Sequence, residues 1–286
     1  QTAIYSIPSN AKNVLKVDLL THSTSFIEID VCNDKYPNFS FDHYNKWYGG
    51  IPGDDNAVYG MPYRTCAVLR IDTETDTAKL VGPDHGCNLF NWHGGLKRNG
   101  QIYAFPSHAD KVLKIDTTLE SKGEKTALLD IQRAEYDKDP RKNFKWLGGE
   151  IGADGNIYSM PADTSSILKI DVTNDKCTTF GFVGKSKNKW QGGLLAKDGC
   201  VYAIPADGEH ILRIDTRTEI EGENPIALIG NLPKRKDKWQ GAFIGRNGTM
   251  YAIPEGGYRI LKVTPPENPQ TWKPDEIPED VTIELM

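Results

Sequence analysis

The residues able to do chemistry in this chain are few and widely spaced. Glu150 is a carboxylate at a position where equivalent segments carry Ile51, Leu96, Leu194 and Phe243. An acid placed where packing calls for an apolar group needs a partner or takes a raised pKa. It is therefore the first candidate for acid–base work. His93, His108 and His210 are the histidines that would join it, since imidazole changes charge near neutral pH. Lys46, Lys145, Lys189 and Lys238 each directly precede a tryptophan. Together they would attract an anionic ligand, or pair with carboxylates of neighbouring segments. Directly after the tryptophans stand Tyr48, His93, Leu147, Gln191 and Gln240. All but Leu147 are polar, so they belong where water or a ligand satisfies them. The sequence contains no Gly-x-Ser-x-Gly, His-Glu-x-x-His or calcium-loop motif. Cys32, Cys66, Cys87, Cys177 and Cys200 follow none of the paired spacings of a zinc site. They read as buried thiols, or as one or two disulfides with a thiol left over. No metal-ligand set is assigned, and no cofactor is named.

Those residues are positioned by a repeat. Tyr-x-x-Pro recurs at Tyr5, Tyr59, Tyr103, Tyr158, Tyr202 and Tyr251, with 54, 44, 55, 44 and 49 residues from each Pro to the next. An apolar–Lys/Arg–apolar–Asp segment follows each at fixed distance, from Leu15-Lys16-Val17-Asp18 to Leu212-Arg213-Ile214-Asp215. The sixth copy, Leu261-Lys262-Val263-Thr264, has lost the Asp. Trp-x-Gly-Gly precedes the later units, at Trp47, Trp92, Trp146 and Trp190, and is altered to Trp239-Gln240-Gly241-Ala242. Each unit reads as four short strands, A to D. Strand A starts at the tryptophan, strand B ends at the proline, and strand C alternates as a half-buried strand should. Strand D is expected at 26–29, 127–129, 180–183 and 227–229. Two-residue hairpins are expected at Asn99-Gly100, Asp154-Gly155, Asp198-Gly199 and Asn247-Gly248. Asx-type turns should follow the strand C aspartates. The tryptophans and double glycines read as blade-to-blade packing.

The pattern predicts an all-β chain: a six-bladed β-propeller of four-stranded antiparallel blades, with seven blades as the alternative. One domain spans 1–286, with units near 1–46, 47–91, 92–145, 146–189, 190–238 and 239–286. The ends are unmatched. Either the first blade has three strands, or the C-terminal segment 282–286 supplies a closing strand, or residues are absent. The repeat, Trp-x-Gly-Gly…Asp-Gly-x-Ile-Tyr-x-x-Pro…Leu-x-Ile-Asp, resembles the tandem propeller repeats of the kelch and NHL-like superfamilies along essentially the whole chain. Its double glycine stands in a different order from that of true kelch units, so kelch partner functions do not carry over.

The variation between units falls on one face, that of the D-to-A and B-to-C connections, including the long segments 31–45 and 131–143. Unlike loops on a uniform scaffold favour one composite site over a repeated one. The reading is a non-catalytic binding or interaction module whose partner is a protein or a small, anionic ligand. The alternative is a propeller lyase or hydrolase with an acid–base or metal site at the channel mouth. A net charge of −5 without a basic stripe argues against nucleic acid, and no apolar run is long enough to span a membrane. The start at Gln1, the sequons Asn38-Phe39-Ser40 and Asn247-Gly248-Thr249, and the cysteines lead to the expectation of an extracellular or exported protein.

Overall fold

Alternating apolar and polar residues bounded by Gly, Pro and Asn give the chain short strands, and the described elements are all β-strands. The computed structural model describes residues 2–87, 89–135, 144–217, 226–256, 259–266 and 281–286. Two compact units, Gln1–Asp130 and Ile131–Met286, each hold three sheets.

In the first unit, β1 (Ala3–Tyr5), β2 (Val14–Asp18) and β3 (Thr24–Ile27) form a three-stranded sheet. The second sheet runs from β5 (Trp47–Pro52) through β6 (Ala57–Pro62) and β7 (Val68–Asp72) to β8 (Thr77–Val81). Its outer edge takes on β4 (Ile29–Asp30), paired in parallel with β8. The third joins β9 (Trp92–Arg98), β10 (Gln101–Pro106), β11 (Val112–Asp116) and β12 (Thr126–Leu129). In the second unit, β14 (Trp146–Ile151), β15 (Ile157–Pro161), β16 (Ile167–Asp171) and β17 (Lys176–Phe180) carry β13 (Ile131–Gln132) in parallel on β17. Next come β18 (Trp190–Leu195), β19 (Cys200–Pro205), β20 (Ile211–Asp215) and β21 (Ile226–Ile229). The last sheet is β22 (Trp239–Ile244), β23 (Met250–Pro254), β24 (Leu261–Thr264) and β25 (Thr282–Leu285). The first sheet has three strands, and 282–285 is the fourth strand of the last one. The parallel additions β4 and β13 have no counterpart in the repeat. The expected strand at 180–183 is corrected to Lys176–Phe180, because Gly181 turns out of the sheet at φ +68°.

Apolar faces of consecutive sheets pack on one another within each unit. Val14, Ile27, Trp47, Leu69 and Ile71 form one core, and Met61, Val68, Trp92, Ile102 and Leu113 belong to the next. The second unit repeats this with Met160, Phe180, Trp190, Leu212 and with Tyr202, Trp239, Met250, Leu261. Each tryptophan is buried, and each indole N–H donates to a backbone carbonyl at the start of strand C in its own sheet. Trp47 reaches Ala67, Trp92 Lys111, Trp146 Ser166, Trp190 His210 and Trp239 Arg259, at 2.8–3.0 Å. The first glycine after each is left-handed and marks a bulge in the A–B register. At Gly148 a Cβ would lie 2.8 Å from the Gly192 Cα, so the innermost strands approach backbone to backbone.

The Tyr of strand B and the cation of strand C have a common purpose. Tyr59 and Arg70 both bond Asp55, Tyr158 and Lys169 meet Asp154, and Tyr202 and Arg213 meet Asp198. In the first sheet, which lacks strand A, Tyr5 and Lys16 instead hold Asp76 from the neighbouring sheet's C–D turn. The tight turn succeeds only at Asn99-Gly100, where both residues are left-handed and no such aspartate stands. At Asp154, Asp198 and Asn247 the side-chain oxygen accepts the N–H two residues on, making longer Asx-type turns. Asp18, Asp72, Asp116, Asp171 and Asp215 likewise accept backbone N–H groups after strand C. Thr218 lies outside the described residues.

Candidate functional site

The D-to-A and B-to-C connections meet where strand A begins, and their backbones are tied together there. Lys46 N–H donates to the Ser9 carbonyl, Lys189 N–H to Ala162 and Lys238 N–H to Ala206. The residue before each lysine is left-handed: Asn45, Asn188 and Asp237. Its N–H is accepted by a side chain of the preceding B-to-C loop, from Asn10, Asp163 or Asp207. These loop residues are spent on architecture.

The four lysines are buried and do not form a cationic ring open to solvent. The Lys189 ammonium donates to the carbonyls of Ala162, Thr164 and Ser186 at 2.7–2.9 Å. Lys238 reaches the carbonyls of Ala206, Gly208 and Arg235, and Lys46 those of Phe41 and His43. At Lys46 and Lys238 the hydrogen-bond partners are carbonyls, where carboxylates were expected. The carbonyls come from the D-to-A connection before each lysine and, at Lys189 and Lys238, from the B-to-C loop as well. Desolvation holds Lys46 and Lys238 below the ordinary lysine value. Lys145 is equally buried.

Glu150 lies on β14 opposite Tyr158, half-buried. Its carboxylate accepts the N–H of Ile151 at 2.8 Å, and a backbone bond from Leu195 also favours its ionised form. Burial outweighs both and raises its pKa. His210 bonds through its ring Nδ1 to the Gly230 carbonyl, with its own carbonyl held by Trp190.

In the first unit the candidate residues converge. Tyr48 on β5 and His93 on β9 stack with ring centroids 3.7 Å apart and planes at 28°. Tyr63 edges against both, at 5.5 Å from each. Phe90 continues the patch at 4.8 Å from Tyr63, and His108 meets Phe90 edge-on at 5.3 Å. The Arg64 guanidinium lies over the other ring contact, 5.1 Å from the Phe90 centroid. Tyr48 remains 42% exposed, so the patch has an open ring edge. Burial pushes His93 down to about 4, which keeps it neutral at physiological pH, and pushes Tyr63 up to about 12.

In the second unit the same position after Trp holds Leu147 and two amides, Gln191 and Gln240. Gln240 donates to Gln191 at 3.0 Å, Gln191 donates to Asn188 at 2.7 Å, and Asn188 donates to Asp207 and Asp237 at 3.1 Å. Tyr48 and His93 in one unit, and Gln191 and Gln240 in the other, therefore touch across adjacent sheets. The pair that stacks in one unit hydrogen-bonds in the other. Tyr63, Arg64 and Phe90 were not singled out from the sequence as site residues. The available signal for Tyr63 and Arg64 was their aromatic and cationic character in a B-to-C loop whose counterparts include Ser9-Asn10 and Asp163-Thr164. Of the long connections, 136–143 lies outside the described residues, as do 257–258 of the last B-to-C loop.

No family profile and no curated protein sequence matches the chain. Solved structures do. Virginiamycin B lyase from Staphylococcus aureus aligns over 99% of this chain and 80% of its own, with a TM-score of 0.65 at 15% identity. A putative 6-phosphogluconolactonase from Bacteroides uniformis aligns over 100% and 82%, with a TM-score of 0.56 at 12% identity. The extracellular domain of a putative hybrid two component system from B. thetaiotaomicron aligns over 91% and 33%, with a TM-score of 0.56 at 12% identity. The fold of this chain is that of these β-propeller-like proteins, an all-β array of antiparallel sheets.

Proposed function

We propose that the chain is a single six-bladed β-propeller acting as a non-catalytic binding module, with its ligand seated on the aromatic patch. One observation carries the reading: Tyr48, Tyr63, Phe90, His93 and His108 form a continuous patch at the loop face, open at Tyr48. The groups that would drive catalysis there are otherwise engaged. His93 is packed against the rings of Tyr48 and Tyr63, and the ammoniums of Lys46, Lys189 and Lys238 are capped by carbonyls. Stacking rings favour a ligand with a flat or apolar face, such as a sugar ring or an aromatic side chain of a protein partner. The buried lysines offer an anion little, which removes the main argument for an anionic ligand. Extracellular or exported placement fits the company of extracellular sensor domains among the structural neighbours. The test is a glycan, metabolite and peptide screen, with hits titrated calorimetrically. Tyr48→Ala and Phe90→Ala are expected to weaken binding at least tenfold, while Gln191→Ala leaves it unchanged. Hits indifferent to both aromatic substitutions would refute the site.

The second reading, a propeller lyase or hydrolase, is favoured by Glu150, a half-buried carboxylate of raised pKa, in a chain with the fold of virginiamycin B lyase. A catalytically inactive histidine variant of that lyase has been solved with Quinupristin. Chromatography of quinupristin after incubation with the chain separates the readings. Turnover abolished by Glu150→Gln supports the enzyme; an unaltered substrate supports the binding module.

A further inference from the structure

We propose that Cys66, Asp84 and Cys87 form a binding site for one thiophilic divalent cation, zinc being the natural occupant. Cys66 stands on the B-to-C loop before β7, and Asp84 and Cys87 on the connection between β8 and β9. The two sulfurs and a carboxylate oxygen all lie within 4.8 Å of one another. Ligands sharing a tetrahedral ion with bonds of roughly 2.0–2.3 Å stand about 3.3–3.8 Å apart, so a shift of about an ångström closes the three on one ion. Asp84 and Cys87 are three residues apart, the short chelating spacing of structural metal loops, with the carboxylate replacing the usual first cysteine. Cys66 closes the set from the neighbouring loop.

The loop is built to hold this arrangement. His85 N–H donates to the Cys66 carbonyl at 2.7 Å, pinning one loop to the other. Gly86 N–H donates to one Asp84 oxygen at 2.7 Å, which orients the carboxylate, and Gly86 makes the turn at φ +82°. Both cysteines are buried and Asp84 is exposed, giving a dry sulfur pair with a solvent-side path for the ion. Two thiols and a carboxylate crowded together have much to gain from a cation. A divalent ion takes both sulfurs as thiolates, and two protons go to solvent.

Three protein ligands leave a fourth position open, and a cleft of about 390 Å³ borders the Asp84 side of the set. Asp84 and His85 line that cleft along with Asn91, Trp92, Asp110 and Lys111. His85 stacks edge-on to Trp92 at 5.1 Å, and its Nε2 is buried with no hydrogen-bond partner. That nitrogen is available to a water or anion completing the coordination sphere. Sequence spacing could not show this set, because one ligand comes from a different loop and one is an aspartate.

The test uses the full chain, reduced and freed of metal, titrated with cobalt(II) and then zinc. One equivalent of cobalt is expected to give sulfur-to-cobalt charge-transfer absorption and tetrahedral visible bands, bleached by one equivalent of zinc. Asp84 is exposed, so Asp84→Asn keeps the fold, checked by circular dichroism, and weakens zinc by roughly tenfold or more. Cys32→Ser leaves the spectrum unchanged, and Cys66→Ser or Cys87→Ser removes it. Absence of a thiolate–cobalt band in the reduced wild type would overturn the site. So would isolation of a Cys66–Cys87 disulfide that takes up no metal once reduced, or zinc affinity untouched by Asp84→Asn.

Discussion

At the scale of single residues, Lys189 shows how backbone carbonyls hold a buried ammonium. Three carbonyls, each a strong dipole, answer one ammonium, and they come from two connections that would otherwise end with unsatisfied acceptors. Lys189→Met removes the donor and leaves the carbonyls of Thr164 and Ser186 facing an apolar chain. The expected loss is about 2–4 kcal/mol, read from the urea midpoint and its slope. His93 makes a prediction in pH. Its folded value of about 4 lies below the ordinary 6.5, so between these values the unfolded chain binds more protons than the folded one. Stability is then fully present above pH 6.5 and falls as pH drops toward 4, by at most about 3 kcal/mol. His93→Gln, which installs the residue found at Gln191 and Gln240, is expected to flatten that part of the curve while leaving stability at pH 7.5 within about 1 kcal/mol.

Elements set where these residues stand. Gly148→Ala meets both a left-handed backbone and the Gly192 Cα at 2.8 Å, whereas Gly192→Ala, left-handed as well, has open space. The former is expected to cost about 2–4 kcal/mol and the latter about 1–2 kcal/mol, measured by chemical unfolding of the two variants in parallel. Strands B and C were fully legible, because their period of two, the Pro of all six copies and the Asp of five encode local geometry. The A–B turns were legible in place but not in form. Asp-Gly suits a two-residue hairpin, yet Asp154 and Asp198 are also claimed by a tyrosine and a cation across the sheet, and this longer-range contact selects the longer turn. The parallel strands at 29–30 and 131–132 were illegible, since two residues on a sheet edge leave no periodicity. For the site, the position after Trp was legible as unusual. The stack of Tyr48 on His93 was not, because it depends on how closely the double glycines let two sheets approach.

At the scale of the molecule, each unit of three sheets has its own cores, and the single-domain reading makes a claim about how they unfold. Hydrogen exchange in rising urea, read on peptides covering 57–72 and 200–215, is expected to show both opening at one midpoint. Midpoints separated beyond error would divide the chain into two domains. The described loops also divide by chemistry: aromatic rings and the cysteine–aspartate cluster in the first unit, amides and carboxylates in the second. A partner recognising the first unit would therefore bind with little dependence on salt, through rings and not charges.

The carbonyl cages around Lys189 and Lys238, and the burial of Lys46 and Lys145, also give these amines a distinct reactivity. Acylating reagents need a deprotonated, reachable nitrogen, and these four are shielded while surface lysines such as Lys12 and Lys234 are open. Brief acetylation followed by peptide mass spectrometry would leave the four unmarked in native protein and mark them on unfolding. Each cage thus acts as a built-in reporter on the integrity of its own seam.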